Sequence, residues 1–126
     1  MKTILSSLLL IFTSSSILFA SKPIRILVVT GGHSYKTEQF NAMLDSFSPE
    51  ITYQVVEFPA AFDMFLPENR NKYDELVFYH MWQQITDEQA KVFSECISSG
   101  KPVVALHHSI CAFDDWPEYW NIIGGK

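Results

Sequence analysis

The sequence predicts an α/β fold with a doubly wound parallel sheet, on three observations. Apolar, β-branched runs recur at residues 24–30, 51–58, 76–79 and 103–106. Helical apolar spacing fills the gaps after the first and third of them. The third and fourth runs are continuous rather than alternating, as expected of strands covered on both faces of a parallel sheet. Strands alternating with helices imply βαβ crossovers and a parallel, doubly wound sheet.

Each element has its own signal. Ile24-Arg25-Ile26-Leu27-Val28-Val29-Thr30 reads as a buried first strand ending in a tight Gly31-Gly32 turn. Phe40, Met43, Leu44 and Phe47 then fall at i, i+3, i+4 and i+7, one apolar helical face, with Ser34 as the expected N-cap and Ser48-Pro49 as the stop. Tyr53, Val55 and Val56 give residues 51–58 their β-propensity, and Pro59 ends that strand. Residues 60–71 admit a short helix through Ala60, Ala61, Met64 and Phe65, or a loop from Pro67 onward. Leu76-Val77-Phe78-Tyr79 is a third strand.

The next helix is the best signposted. Thr86-Asp87-Glu88-Gln89 fits a capping box, and Ile85 and Ala90 occupy the staple positions. Ala90, Phe93 and Ile97 form its core stripe, and Gly100 with Pro102 ends it. Val103-Val104-Ala105-Leu106 reads as a fourth buried strand. A last helix starts near Asp114 with Pro117 in its first turn and runs to Ile123 before Gly124-Gly125-Lys126. The chain shows no internal repeat and no linker.

Of 126 residues, 48% are hydrophobic, 14% aromatic and 18% charged, which excludes a disordered or collagen-like chain. Nine Lys+Arg against 14 Asp+Glu, with no basic cluster, give a net charge of -5, so no nucleic-acid partner is expected. Lys2, the mostly apolar stretch from Ile4 to Phe12, and the Ser-rich lead into Ala20 read as a signal peptide over residues 1–20. The competing reading is an uncleaved anchor. Ser6-Ser7 and Thr13-Ser14-Ser15-Ser16 interrupt the run before it reaches the ~18 apolar residues of a spanning helix, which favours cleavage. The expectation is an exported protein, periplasmic or extracellular, with residues 21–126 as one α/β domain and no stable membrane insertion. Cys96 and Cys111 permit one disulfide without requiring it.

Ligands of open α/β sheets bind beyond the carboxyl ends of the strands. All four histidines fall there: His33 after the first strand, His80 at the end of the third, His107 and His108 after the fourth. If the strand order is 2-1-3-4, these exits share one rim. Imidazoles near neutral pH can move protons, bind a metal or hydrogen-bond sugar hydroxyls. His33, His107 and His108 are the candidate catalytic groups. Gly31, Gly32, Ser34, His80, Trp82, Ser109 and Trp116 are candidate substrate contacts, the glycines because a Gly-Gly turn permits close approach to the backbone and the tryptophans as stacking walls. His107 and His108 point to opposite faces unless the strand has already ended.

No cofactor is predicted. Without a His-x-x-x-His or Cys-x-x-Cys spacing, a divalent metal such as zinc would need ligands gathered from separate strand ends. Gly31-Gly32 lacks the third glycine of a dinucleotide fingerprint and the Lys-Ser/Thr of a phosphate loop. Ser109 and Cys111 lack the flanking glycines of a nucleophile elbow, and Asp114, Asp115 and Glu118 could supply a general acid or base but at a helix start fit better as residues that cap amides and complement the dipole.

The strand followed by Gly31-Gly32-His33, the run Tyr73-Asp74-Glu75-Leu76-Val77-Phe78-Tyr79 with Met81-Trp82-Gln83, the run Gly100-Lys101-Pro102-Val103-Val104-Ala105-Leu106-His107-His108, and Asp115-Trp116-Pro117-Glu118-Tyr119 through Ile123-Gly124-Gly125 together resemble the ThuA-like (trehalose utilisation) domain. The resemblance runs through nearly all of residues 21–126. It implies a flavodoxin-like sandwich similar to class I glutamine amidotransferases, and a small-molecule carbohydrate ligand, a disaccharide or a keto-sugar derivative. It implies no glutaminase, because His108-Ser109 stands where that chemistry needs a cysteine elbow. Family members continue past the Gly-Gly, so the expectation is an N-terminal part of the domain. The alternatives are a non-catalytic sugar-binding or interaction module and a truncated remnant.

Overall fold

The structure, a computed structural model, describes residues 22–125; the expected signal peptide lies outside the described residues. Four strands, β1 (Ile24–Gly31), β2 (Ile51–Glu57), β3 (Glu75–His80) and β4 (Val103–Ala105), form an all-parallel sheet in the order β2-β1-β3-β4. Helices α1 (Thr37–Asp45), α2 (Ala61–Met64) and α3 (Asp87–Ser98) lie in the three crossovers, α4 (Pro117–Ile123) follows β4, and together they cover both faces. This is the flavodoxin-like arrangement, with the first connection on one side of the sheet and the later ones on the other.

Strand alternation divides the core. Leu27, Val29, Leu76 and Phe78 face α2, α3 and α4, where Phe65, Phe93, Phe113 and Tyr119 complete a large aromatic cluster. Ile26, Val28 and Val77 face α1 and meet Leu44 in a smaller one. Adjacent residues of one strand thus serve different cores, as a period of two requires. Arg25 clamps the opposite end of the sheet: its guanidinium donates to both oxygens of Asp74, at 2.9 and 2.6 Å, and its backbone N–H donates to Asp74 Oδ2 at 2.9 Å. That pairing holds the Asp74 carboxyl well below the usual carboxylate range.

The capping box of α3 is formed: Thr86 Oγ1 accepts from Gln89 N at 3.2 Å, and Gln89 Oε1 accepts from Thr86 N at 2.9 Å. Replacing Thr86 with Ala should destabilise the fold by about 1 kcal/mol in urea titration, since an orphaned first-turn N–H loses its acceptor.

Two expectations need correction. Ser34 does not cap α1; the helix starts later, with Lys36 at the N-cap position without a side-chain cap, and Tyr35 between them lies against Tyr79 with ring centroids 5.3 Å apart. The fourth strand is not buried. β4 is a three-residue edge strand with Val104 and Ala105 exposed, and an apolar groove of about 320 Å³ stays open beside it, lined by Met43, Leu44, Phe47, Val77, Val104 and Leu106. Residues 60–71 contain both α2 and a 3-10 turn at Arg70–Lys72. Both cysteines are free thiols, Cys96 buried and Cys111 exposed. Among the described residues, no helix is long and apolar enough to cross a membrane.

Candidate functional site

Backbone packing brings three strand exits side by side. Gly31 and Gly32 leave β1 at φ 128° and 80°, in the region that side chains avoid. A Cβ on Gly32 would overlap the Met81 carbonyl, so the loop after β3 lies directly against this turn. Met81 N donates to Gly31 O at 3.0 Å, Trp82 N to Cys111 O at 3.2 Å, and Gln83 N to Ala112 O at 2.6 Å. The β3 loop is therefore pinned between the β1 exit and the 3-10 turn His107–Cys111 that follows β4. The space left by the glycine serves this internal contact, where the sequence suggested room for a ligand.

On the α1 side of this seam, side chains from all three exits meet. The His33 ring lies 4.9 Å from Tyr79 and 5.7 Å from His108, both edge-on, and the His107 and His108 centroids are 3.6 Å apart. Tyr79 also lies 6.2 Å from His107 and stacks on Phe40 at 4.6 Å. The strand has ended before His107, and the 3-10 turn releases both rings from strand alternation. His107 takes φ 53° to reach this position, an uncommon conformation for a residue other than glycine. His107 and His108 are exposed and His33 is half-buried, so the rim opens to solvent. His107 also borders a hollow of about 270 Å³, lined by Ile110, Ile123 and Gly124.

Burial and then the neighbouring His107 and His33 push the His108 pKa down. His33 Nδ1 lies 3.2 Å from Ser34 O, and its Nε2 is buried without a hydrogen-bond partner. Neutral imidazoles at this rim can donate and accept hydrogen bonds, and a charged one can transfer a proton.

His80 is not part of this rim. The strand runs through it, so its ring falls on the Phe78 side, fully buried among Phe58, Phe78, Phe113 and Tyr119 at centroid distances of 4.8 to 6.3 Å. Neither ring nitrogen has a hydrogen-bond partner, and burial, with a smaller contribution from His33, pushes its pKa down to about 3. Ser109 is also buried, its carbonyl accepting from Tyr119 OH at 2.7 Å. Trp116 packs against Phe93, Phe113 and Tyr119 on the aromatic-core side of the sheet. Ser34 is exposed. Trp82 is 66% exposed at φ 50°, held by its backbone.

Tyr79 and Tyr35 join the cluster although the sequence did not single them out. The signal was present for Tyr79, which shares the Val77 side of β3 by alternation. Among the described residues, no three His, Cys, Asp or Glu side chains form a group able to hold a metal ion.

No protein-family model and no curated protein matches the sequence. A solved structure of a protein described as ThuA-like, from Parabacteroides merdae, superposes with a TM-score of 0.58 at 24% sequence identity, covering 78% of this chain. The fold is ThuA-like. The chain spans 37% of that neighbour's length. The imidazole rim lies beyond the carboxyl ends of β1 and β4, with Tyr79 of β3 between them, at the end of the sheet where open α/β folds bind their ligands.

Proposed function

We propose that this chain is an exported ThuA-like domain that binds a carbohydrate, a disaccharide or keto-sugar derivative, at the rim formed by His33, His107 and His108. The observation that carries the reading is the meeting of rings from three separate strand exits on one solvent-facing edge. Imidazole nitrogens suit sugar hydroxyls, each donating or accepting, and Tyr79 and Tyr35 add ring faces and hydroxyls of the kind that sugars pack against. Where turnover accompanies binding, an imidazole moves a proton at a hydroxyl or at a carbon beside a keto group. Among the described residues, Cys96 lies within α3 and Cys111 at the end of a 3-10 turn, neither at a strand-to-helix elbow, and glutaminase chemistry is not part of the proposal. Export rests on the apolar, Ser-interrupted segment before Ala20.

A thermal-shift screen with trehalose, other disaccharides and their keto derivatives tests this reading. A binding sugar raises the melting temperature of the wild-type chain in a concentration-dependent way. His107→Ala and His108→Ala should each lower the affinity about tenfold, the effect of one lost hydrogen bond to a polar ligand. Equal shifts in the wild-type chain and both variants would move the site elsewhere.

A further inference from the structure

We propose that the group recognised at this rim is anionic, a carboxylate or phosphate carried on a sugar. The inference rests on the rim being a ligand site and deepens that reading by naming the ligand's charge. Three imidazoles are crowded here, two with centroids 3.6 Å apart, and the third 5.7 Å from His108. Like charges this close repel, and burial with the neighbouring His107 and His33 already disfavours the charged form of His108, a balance that a negative charge among the rings would reverse.

Among the described residues, no carboxylate forms an ion pair with any of these rings. The titratable groups in ring contact with the cluster are Tyr35 and Tyr79, with His80 behind His33; Glu57, at the end of β2, lies beside Gly31. Among the described residues, the ion pairs are Arg25 with Asp74 and Arg70 with Glu95, and no histidine is paired with a carboxylate. The rings are held beside one another by backbone geometry, including the positive φ of His107, rather than by an acidic partner. An oxyanion would complete the arrangement, accepting from several N–H groups at once and raising the proton affinity of each ring it touches. The net charge of -5 makes long-range attraction of anions unfavourable, so an acidic sugar must be held by these local donors.

Isothermal titration of the full chain with glucuronate, glucose 6-phosphate and glucose, at about pH 5.5 and about pH 8 and in buffers of differing ionisation heat, tests the proposal. The expected result is binding of both acidic sugars with proton uptake, weakening at least about tenfold between the two pH values, and glucose binding more weakly. His107→Gln should lose about tenfold of the acidic-sugar affinity at the lower pH. If only the phosphate ester binds in this way, the oxyanion is a phosphate; if only the glucuronate does, it is a carboxylate. Glucose binding as tightly as the acids without proton uptake would overturn the anionic assignment and leave the carbohydrate rim standing. Absence of binding by all three would count against both. The wild-type comparison is decisive even if the variant fails to fold.

Discussion

Replacing Gly32 with Ala is expected to destabilise the protein by roughly 3 kcal/mol or more and to take ligand binding with it. Two costs combine. Alanine pays for the left-handed conformation at φ 80°, and its Cβ would occupy the volume of the Met81 carbonyl, a backbone atom that cannot swing aside. Met81 is held by its own N–H to Gly31 O, and the next two residues are tied to Cys111 and Ala112, so relief of the overlap must displace the loop that links β1 to the His107–Cys111 turn. Urea unfolding followed by tryptophan fluorescence measures the loss. A change under about 1 kcal/mol would show that the loop yields cheaply and that the glycine does not set the alignment of the strand exits.

Acid sensitivity originating at His80 is the second large effect. Its imidazole has an ordinary pKa of 6.5 and is pushed down to about 3 by burial in the folded chain. Between these values the unfolded chain binds a proton that the folded chain refuses. Stability from this residue is complete above about pH 6.5 and falls as pH drops toward 3, by about 1.4 kcal/mol per pH unit. The wild-type chain should lose about 2.5 kcal/mol between pH 7 and pH 4.5 through this residue alone. The carboxyl of Asp74, with its depressed pKa, contributes in a lower window, as pH falls below its ordinary value of 3.8.

His80→Leu should remove this part of the slope, while near neutral pH its stability stays within about 1 kcal/mol of wild type. The ring makes no hydrogen bond to lose, and leucine is of similar size. Parallel denaturation series of the two proteins across pH give the comparison. Identical slopes would mean that His80 has access to solvent or to a polar partner in solution.

Residue patterns alone carried the order of elements and the doubly wound sheet, because strand runs and helical spacing are local properties. The Thr86–Gln89 box was equally legible, since capping chemistry involves four consecutive residues. The exposure of β4 was not: its apolar residues resemble those of a central strand, and exposure depends on what lies beside it in space. Among site residues, His33, His107 and His108 were read at the strand exits and do meet, whereas His80 was read with them and turns away. Alternation from Phe78 places His80 on the aromatic-core side and Tyr79 on the rim, a one-residue distinction that depends on where β3 stops. Trp116 and Ser109 were read as site residues from position in the chain, and tertiary packing turned them toward Tyr119.

The central claim is that His33, His107 and His108 act as one ligand-binding group from which His80 is excluded. Long-range 1H–15N correlation spectra of the histidine rings, recorded while a binding disaccharide or sugar acid is titrated in, test it most directly. The ring signals of His33, His107 and His108 are expected to shift together along one saturation curve while those of His80 stay fixed. Saturable shifts at His80 alone, or binding that leaves all three rim histidines unmoved, would contradict it.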